Sequence, residues 1–169
     1  MMLSAWDYLL RLSILAVTFV GWSAIVVTLR RAYGGDLSAH HKHMVRILIE
    51  LGLAVAALGL LPGALSFTGL ANSTIWRLSS AVAAFASSAF LMYTFRRRGR
   101  AAPGPTPRYV IANYVIMATA TLALWVNTVG FRFQPSATPY VLVLTLFLAL
   151  GWLIFVQSLE LFLGGTLSR

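Results

Sequence analysis

Four side chains in this sequence are chemically out of keeping with their neighbours. Glu50, Asn113, Gln157 and Glu160 each stand inside a long apolar run. A carboxylate or amide is costly to strip of water. One retained in such a setting is a candidate for binding a cation, holding a proton or lining a polar vestibule. Arg46 precedes Glu50 by four residues, the spacing at which opposite charges meet on one helical face, so an ion pair is the structural alternative for that carboxylate. Glu160 can reach toward water from near the end of its run, and Gln157 and Asn113 are of the kind that link helices.

Other groups have weaker spacing arguments. His40 and His43 share a helical face, with His41 between them, which suits a metal or a pH-sensitive contact. No cysteine exists and Asp36 is the sole nearby carboxylate, so these are expected to be interfacial histidines of a basic loop. Arg96, Arg97, Arg98 and Arg100 precede Pro103-Gly104-Pro105-Thr106-Pro107, and are expected to set topology and to hold anionic lipid headgroups. Asp7 and Arg11 are expected to neutralise each other at i, i+4, and Arg77 and Arg132 to snorkel at the same, outer rim. Asn127 reads as a lone amide.

The elements that must position these groups follow from composition. The chain has 169 residues, of which 59% are hydrophobic and only 10% charged, with a mean hydropathy of +0.82. Soluble domains carry about 25% charge, so this chain lacks the polar residues to cover a water-facing surface. Five stretches reach the roughly 20 apolar residues that cross a bilayer, at 7–29, 45–67, 74–95, 109–130 and 139–161. The fold class is therefore an all-α integral membrane protein, a five-helix transmembrane bundle forming a single domain over 1–169. The first stretch has no basic leader, carries Asp7 ahead of its apolar run and is stopped by Arg30-Arg31, the pattern of a retained helix rather than a cleaved signal.

Thirteen basic residues against four acidic ones give a formal charge of +9. They collect at the ends of the apolar runs. Ten lie in 30–46, 96–108 and at Arg169, against Arg11, Arg77 and Arg132 on the other side. Lys and Arg accumulate on the cytoplasmic face, so the N-terminus is expected outside and the C-terminus inside. In this frame Glu50, Asn113, Gln157 and Glu160 fall at one level, about 10–15 Å below the midplane on the inner half. Nucleic acid is excluded as a partner, since no loop interleaves aromatic and basic residues. Arginine outnumbers lysine twelve to one, which points to a GC-rich bacterial genome and an inner-membrane location.

Small residues mark the expected contacts. Gly52, Ala56, Gly59 and Gly63 on the second run, and Ser80, Ala84 and Ser88 on the third, predict a close antiparallel hairpin of those two helices. Pro62 is expected to kink or end the second helix. Trp22 and Trp152 are deep enough to read as packing residues.

No HExxH, GxSxG, phosphate-binding glycine loop or potassium-filter motif occurs, and no thiol is available, so neither an enzyme nor a cofactor is expected. Size and helix number are those of the tryptophan-rich sensory proteins, whose Trp/Pro-rich segments have no counterpart here. Beside a membrane enzyme, the least expected because no paired base and nucleophile is visible from spacing, two functions remain. One is a small permease or homo-oligomeric channel using Glu50, Asn113, Gln157 and Glu160. The other is a non-catalytic sensor, accessory or scaffold subunit that meets lipids, a second copy or a partner subunit.

Overall fold

The computed structural model of the chain describes residues 4–32, 39–101, 106–130 and 134–164, with backbone alone at 30–31, 39–43, 99–101 and 157–164. Five helices account for nearly all of these residues: α1 (Ala5–Ala32), α2 (Ala39–Ser66), α3 (Asn72–Ala101), α4 (Arg108–Val129) and α5 (Ala137–Gly164). Each is long and apolar enough to cross a membrane, over Ala5–Leu29, Met44–Ser66, Asn72–Arg98, Arg108–Val129 and Ala137–Val156. These limits lie within five residues of those read from hydropathy.

Local chemistry sets the helix ends. Ser4 Oγ accepts the Asp7 N–H and donates to the Asp7 carboxylate, capping α1. Asp7 is thereby occupied, and the expected Asp7–Arg11 pair does not form; Arg46–Glu50 is the ion pair found among the described residues. Gly130 ends α4 in the left-handed region, at φ 72°, with its N–H on the Val126 carbonyl.

Every helix packs on its neighbour in sequence, α5 returns to α1, and α2 and α5 meet across the ring. One end of the bundle gathers the C-termini of α1, α3 and α5 with the N-termini of α2 and α4. It carries most of the basic residues and is called the basic end below.

The small-residue faces find partners other than those expected. α2 and α3 do touch, but the glycine face of α2 receives α1. A Cβ on Gly59 would collide with Ser13 Oγ and lie 3.2 Å from the Leu9 carbonyl oxygen, and one on Gly52 would collide with Val20. Ser13 Oγ reaches the Ala56 carbonyl at 3.1 Å across this contact. Gly63 has open space where a Cβ would stand. The Ser/Ala face of α3 meets α4 instead: Asn127 Nδ2 donates to Ser80 Oγ at 2.7 Å, and Trp125 Nε1 donates to Ser88 Oγ at 3.2 Å.

Pro62 does not end α2, which continues to Ser66. Trp22 is not a packing residue: it is 63% exposed. Trp152, also exposed on one side, stacks on Phe19 with ring centroids 4.9 Å apart.

Candidate functional site

The two halves of the bundle differ in how they use their polar groups. In the half away from the basic end, several polar side chains make contacts between helices. Tyr140 of α5 is fully buried, and its hydroxyl donates to the Leu58 carbonyl of α2 at 2.6 Å. Tyr8 Oη and Thr145 Oγ1 join α1 to α5 at 3.0 Å. Asn127 is 8% exposed. Besides Ser80, its Nδ2 donates to the Ser136 carbonyl at 3.1 Å, and its Oδ1 accepts the Ser136 N–H at 3.2 Å. Far from standing alone, it ties α3, α4 and the approach to α5 together. Arg77 Nε donates to the Thr128 carbonyl at 2.8 Å, placing a cation at the C-terminus of α4, where the helix dipole favours it. Trp6, Trp76 and Tyr140 stack in sequence over this end, with centroids 5.0 and 5.9 Å apart.

The half nearer the basic end contains a cavity of about 80 Å³ between α2, α3, α4 and α5. Met44, Leu51, Phe90, Met117, Phe147 and Leu150 supply most of its wall, with Thr94, Tyr114 and Asn113 adding polar atoms. Thr94 Oγ1 is already engaged with the Phe90 and Leu91 carbonyls. Asn113 is half-buried and makes no hydrogen bond to a described residue. Preformed ligand pockets run to about 300–1,000 Å³, so this cavity is too small for a porphyrin or sterol body. It has room for the end of something larger.

Of the expected polar cluster, the structure places Glu50 and Asn113 apart in role. Glu50 Oε1 accepts from Arg46 Nε at 2.5 Å, both on the same face of α2, and Glu50 does not line the cavity that Asn113 borders. Gln157 and Glu160 lie on α5 with side chains outside the described residues, as do those of His40, His41, His43 and Arg100; Arg132 lies outside them altogether. No group of His, Asp or Glu among the described residues is arranged to hold a metal ion.

The arginines at the end of α3 divide. Arg96 is exposed, whereas Arg97 and Arg98 are half-buried. Arg97 Nη1 donates to Tyr93 Oη, with its guanidinium carbon 5.7 Å from the Tyr93 ring centre. Arg98 Nη1 is covered by protein and has no hydrogen-bond partner among the described residues. Residue type and spacing give no signal that separates Arg98 from its neighbours. The distinction comes from its position four residues beyond buried Thr94, on the same face of α3.

Comparison with protein-family models, with curated proteins and with solved structures finds no match to this chain.

Proposed function

We propose that the five helices span a bacterial inner membrane with the basic end in the cytoplasm, and that the bundle serves as a non-catalytic sensor or accessory subunit. The asymmetry of basic residues about the five spans supports this orientation. The reading of function is carried by one observation. In the outer half Asn127 and Tyr140 are engaged by bonds between helices, and the cavity in the inner half is walled mostly by apolar groups. A conduction path needs polar groups or water along its length, and Tyr140, Leu58, Trp76 and Leu144 close the outer half by packing.

The exposed faces of α1 and α4, among them Leu10, Ile14, Val17 and Trp22 on α1 and Ile111, Val115 and Leu122 on α4, suit lipid or a neighbouring membrane subunit. The test is ion flux in liposomes holding the purified protein, with Glu50→Gln as control. Absence of proton, cation and halide flux in both proteins is expected. Wild-type flux that the substitution alters would replace this reading with transport.

A permease or homo-oligomeric channel has one specific support of its own. The cavity near the basic end has in its wall the Asn113 amide, unpaired among the described residues, as in an inward-facing state of a transporter, and a wider groove of about 690 Å³ between α4 and α5 opens in the other half beside Asn127 and Ser136. In that reading the Tyr140–Leu58 bond breaks during each cycle.

A further inference from the structure

Two buried side-chain polar atoms lack a hydrogen-bond partner among the described residues, Ser79 Oγ and Arg98 Nη1. Ser79 is neutral and enclosed in the tightly packed half. Arg98 is another matter. A guanidinium stays charged at any cellular pH, and a covered N–H without an acceptor is costly, more so on a charged group. Such a donor calls for an anion.

Its position says which kind. Arg98 stands about 6 Å beyond Thr94 along α3, toward the basic end and on the same helical face. Thr94 and Phe90 wall the cavity, and Asn113 contributes its unused amide from α4. The carboxylate of Glu50 is held by Arg46 and is not available to neutralise Arg98. A cation with an unfilled donor thus stands one helical turn beyond the cavity wall on α3, and an amide without a hydrogen bond among the described residues borders the same cavity from α4.

We infer that this is a binding site for an anionic phospholipid of the inner leaflet. Its phosphate accepts from the half-buried Arg98 side chain, which turns to present its covered Nη1, and a short stretch of one chain enters between Met44, Leu51, Met117, Phe147 and Leu150. The hollow of about 80 Å³ has room for several waters. Apolar walls offer water too few partners, whereas a few methylenes fill the space without loss. A free phosphate would leave the hollow empty, and a zwitterionic head would bring a second cation beside Arg96 and Arg97. The inference rests on the orientation proposed above and supplies the sensor reading with its ligand class.

The test uses the full chain, delipidated in dodecyl maltoside and followed by native mass spectrometry. It is titrated with dioleoyl phosphatidylglycerol, with dioleoyl phosphatidylcholine, and with glycerol phosphate as a head without a tail. Phosphatidylglycerol is expected to bind at least tenfold more tightly than phosphatidylcholine, whose phosphate is offset by its own choline cation. Glycerol phosphate in tenfold excess should not compete. Arg98→Gln should erase the preference, and Arg96→Gln, at an exposed site, should keep it. Asn113→Leu, which conserves shape, should weaken phosphatidylglycerol several-fold and decides the matter if Arg98→Gln does not fold.

Equal binding of the two lipids, a preference that survives in folded Arg98→Gln, unchanged affinity in Asn113→Leu, or competition by glycerol phosphate would each overturn the site. None of those results bears on flux, so the non-conducting reading stands or falls separately.

Discussion

The hydroxyl of Tyr140 on α5 donates to the carbonyl of Leu58 on α2, the carbonyl that Pro62 leaves without a partner. In an α-helix residue 62 donates its N–H to residue 58, and proline has none to give. Tyr140 Oη stands 2.6 Å from that oxygen in a fully buried setting. The hydrogen bond that the proline removes from the helix is replaced by a side chain from across the bundle, and α2 runs on to Ser66.

This relationship makes a coupled prediction. Tyr140→Phe leaves the Leu58 oxygen buried and unsatisfied, at a cost of about 1–3 kcal/mol. In a Pro62→Ala background the restored N–H serves that oxygen, and the same substitution should cost clearly less. Unfolding in mixed micelles, followed by tryptophan fluorescence, gives both values. Equal costs in the two backgrounds would show that the bond does not answer for the proline.

The glycines of α2 should separate sharply. Gly59→Ala forces its methyl onto Ser13 and the Leu9 carbonyl, displacing the Ser13–Ala56 link, and overpacking of this kind costs about 1–3 kcal/mol. Gly63→Ala meets nothing within 4 Å and exchanges a flexible residue for a good helix former, so it should be neutral or mildly stabilising. The same micelle titration ranks them, and a larger loss at Gly63 than at Gly59 would contradict the α1–α2 contact.

Two amides of α4 offer a second contrast. Asn127→Leu removes three hydrogen bonds and strands the Ser136 backbone in a partly buried turn, for a loss of about 2–3 kcal/mol. Asn113→Leu removes none among the described residues and adds apolar surface to an apolar wall, so stability should hold or rise. Thermal midpoints of the two variants in one detergent check this, and the opposite order would mean that the amides have exchanged roles.

Helix number and limits are legible in the sequence because each 20-residue apolar run is bounded by charge, Pro or Gly, and the bilayer leaves few alternatives to a helix. The Arg46–Glu50 pair is legible too, since its spacing lies within one helix. What spacing does not carry is the identity of a partner across helices. Gly59 announces that something approaches α2 closely, but α1 and α3 are equally adjacent in sequence. Pro62 announces a missing bond without naming Tyr140, which is 78 residues away. Asn113 and Asn127 are the same residue type on the same helix, and only the fold shows that one is fully bonded and the other is not. Arg98 is indistinguishable within its basic run until the face it shares with Thr94 is known.

The central claim is a bundle oriented with its basic end inward and sealed in its outer half, and the natural absence of cysteine allows a direct measurement. Single cysteines at Tyr109, Thr138 and Ser79 are offered a membrane-impermeant maleimide from either side of sealed vesicles. Tyr109 and Thr138 are exposed at opposite ends, and Ser79 is fully buried in the half away from the basic end. The account predicts that Tyr109→Cys reacts from the cytoplasmic side alone, Thr138→Cys from the outer side alone, and Ser79→Cys from neither. Reaction at Ser79→Cys would reveal a water path through the half described as closed, and reversed labelling at the other two would overturn the orientation.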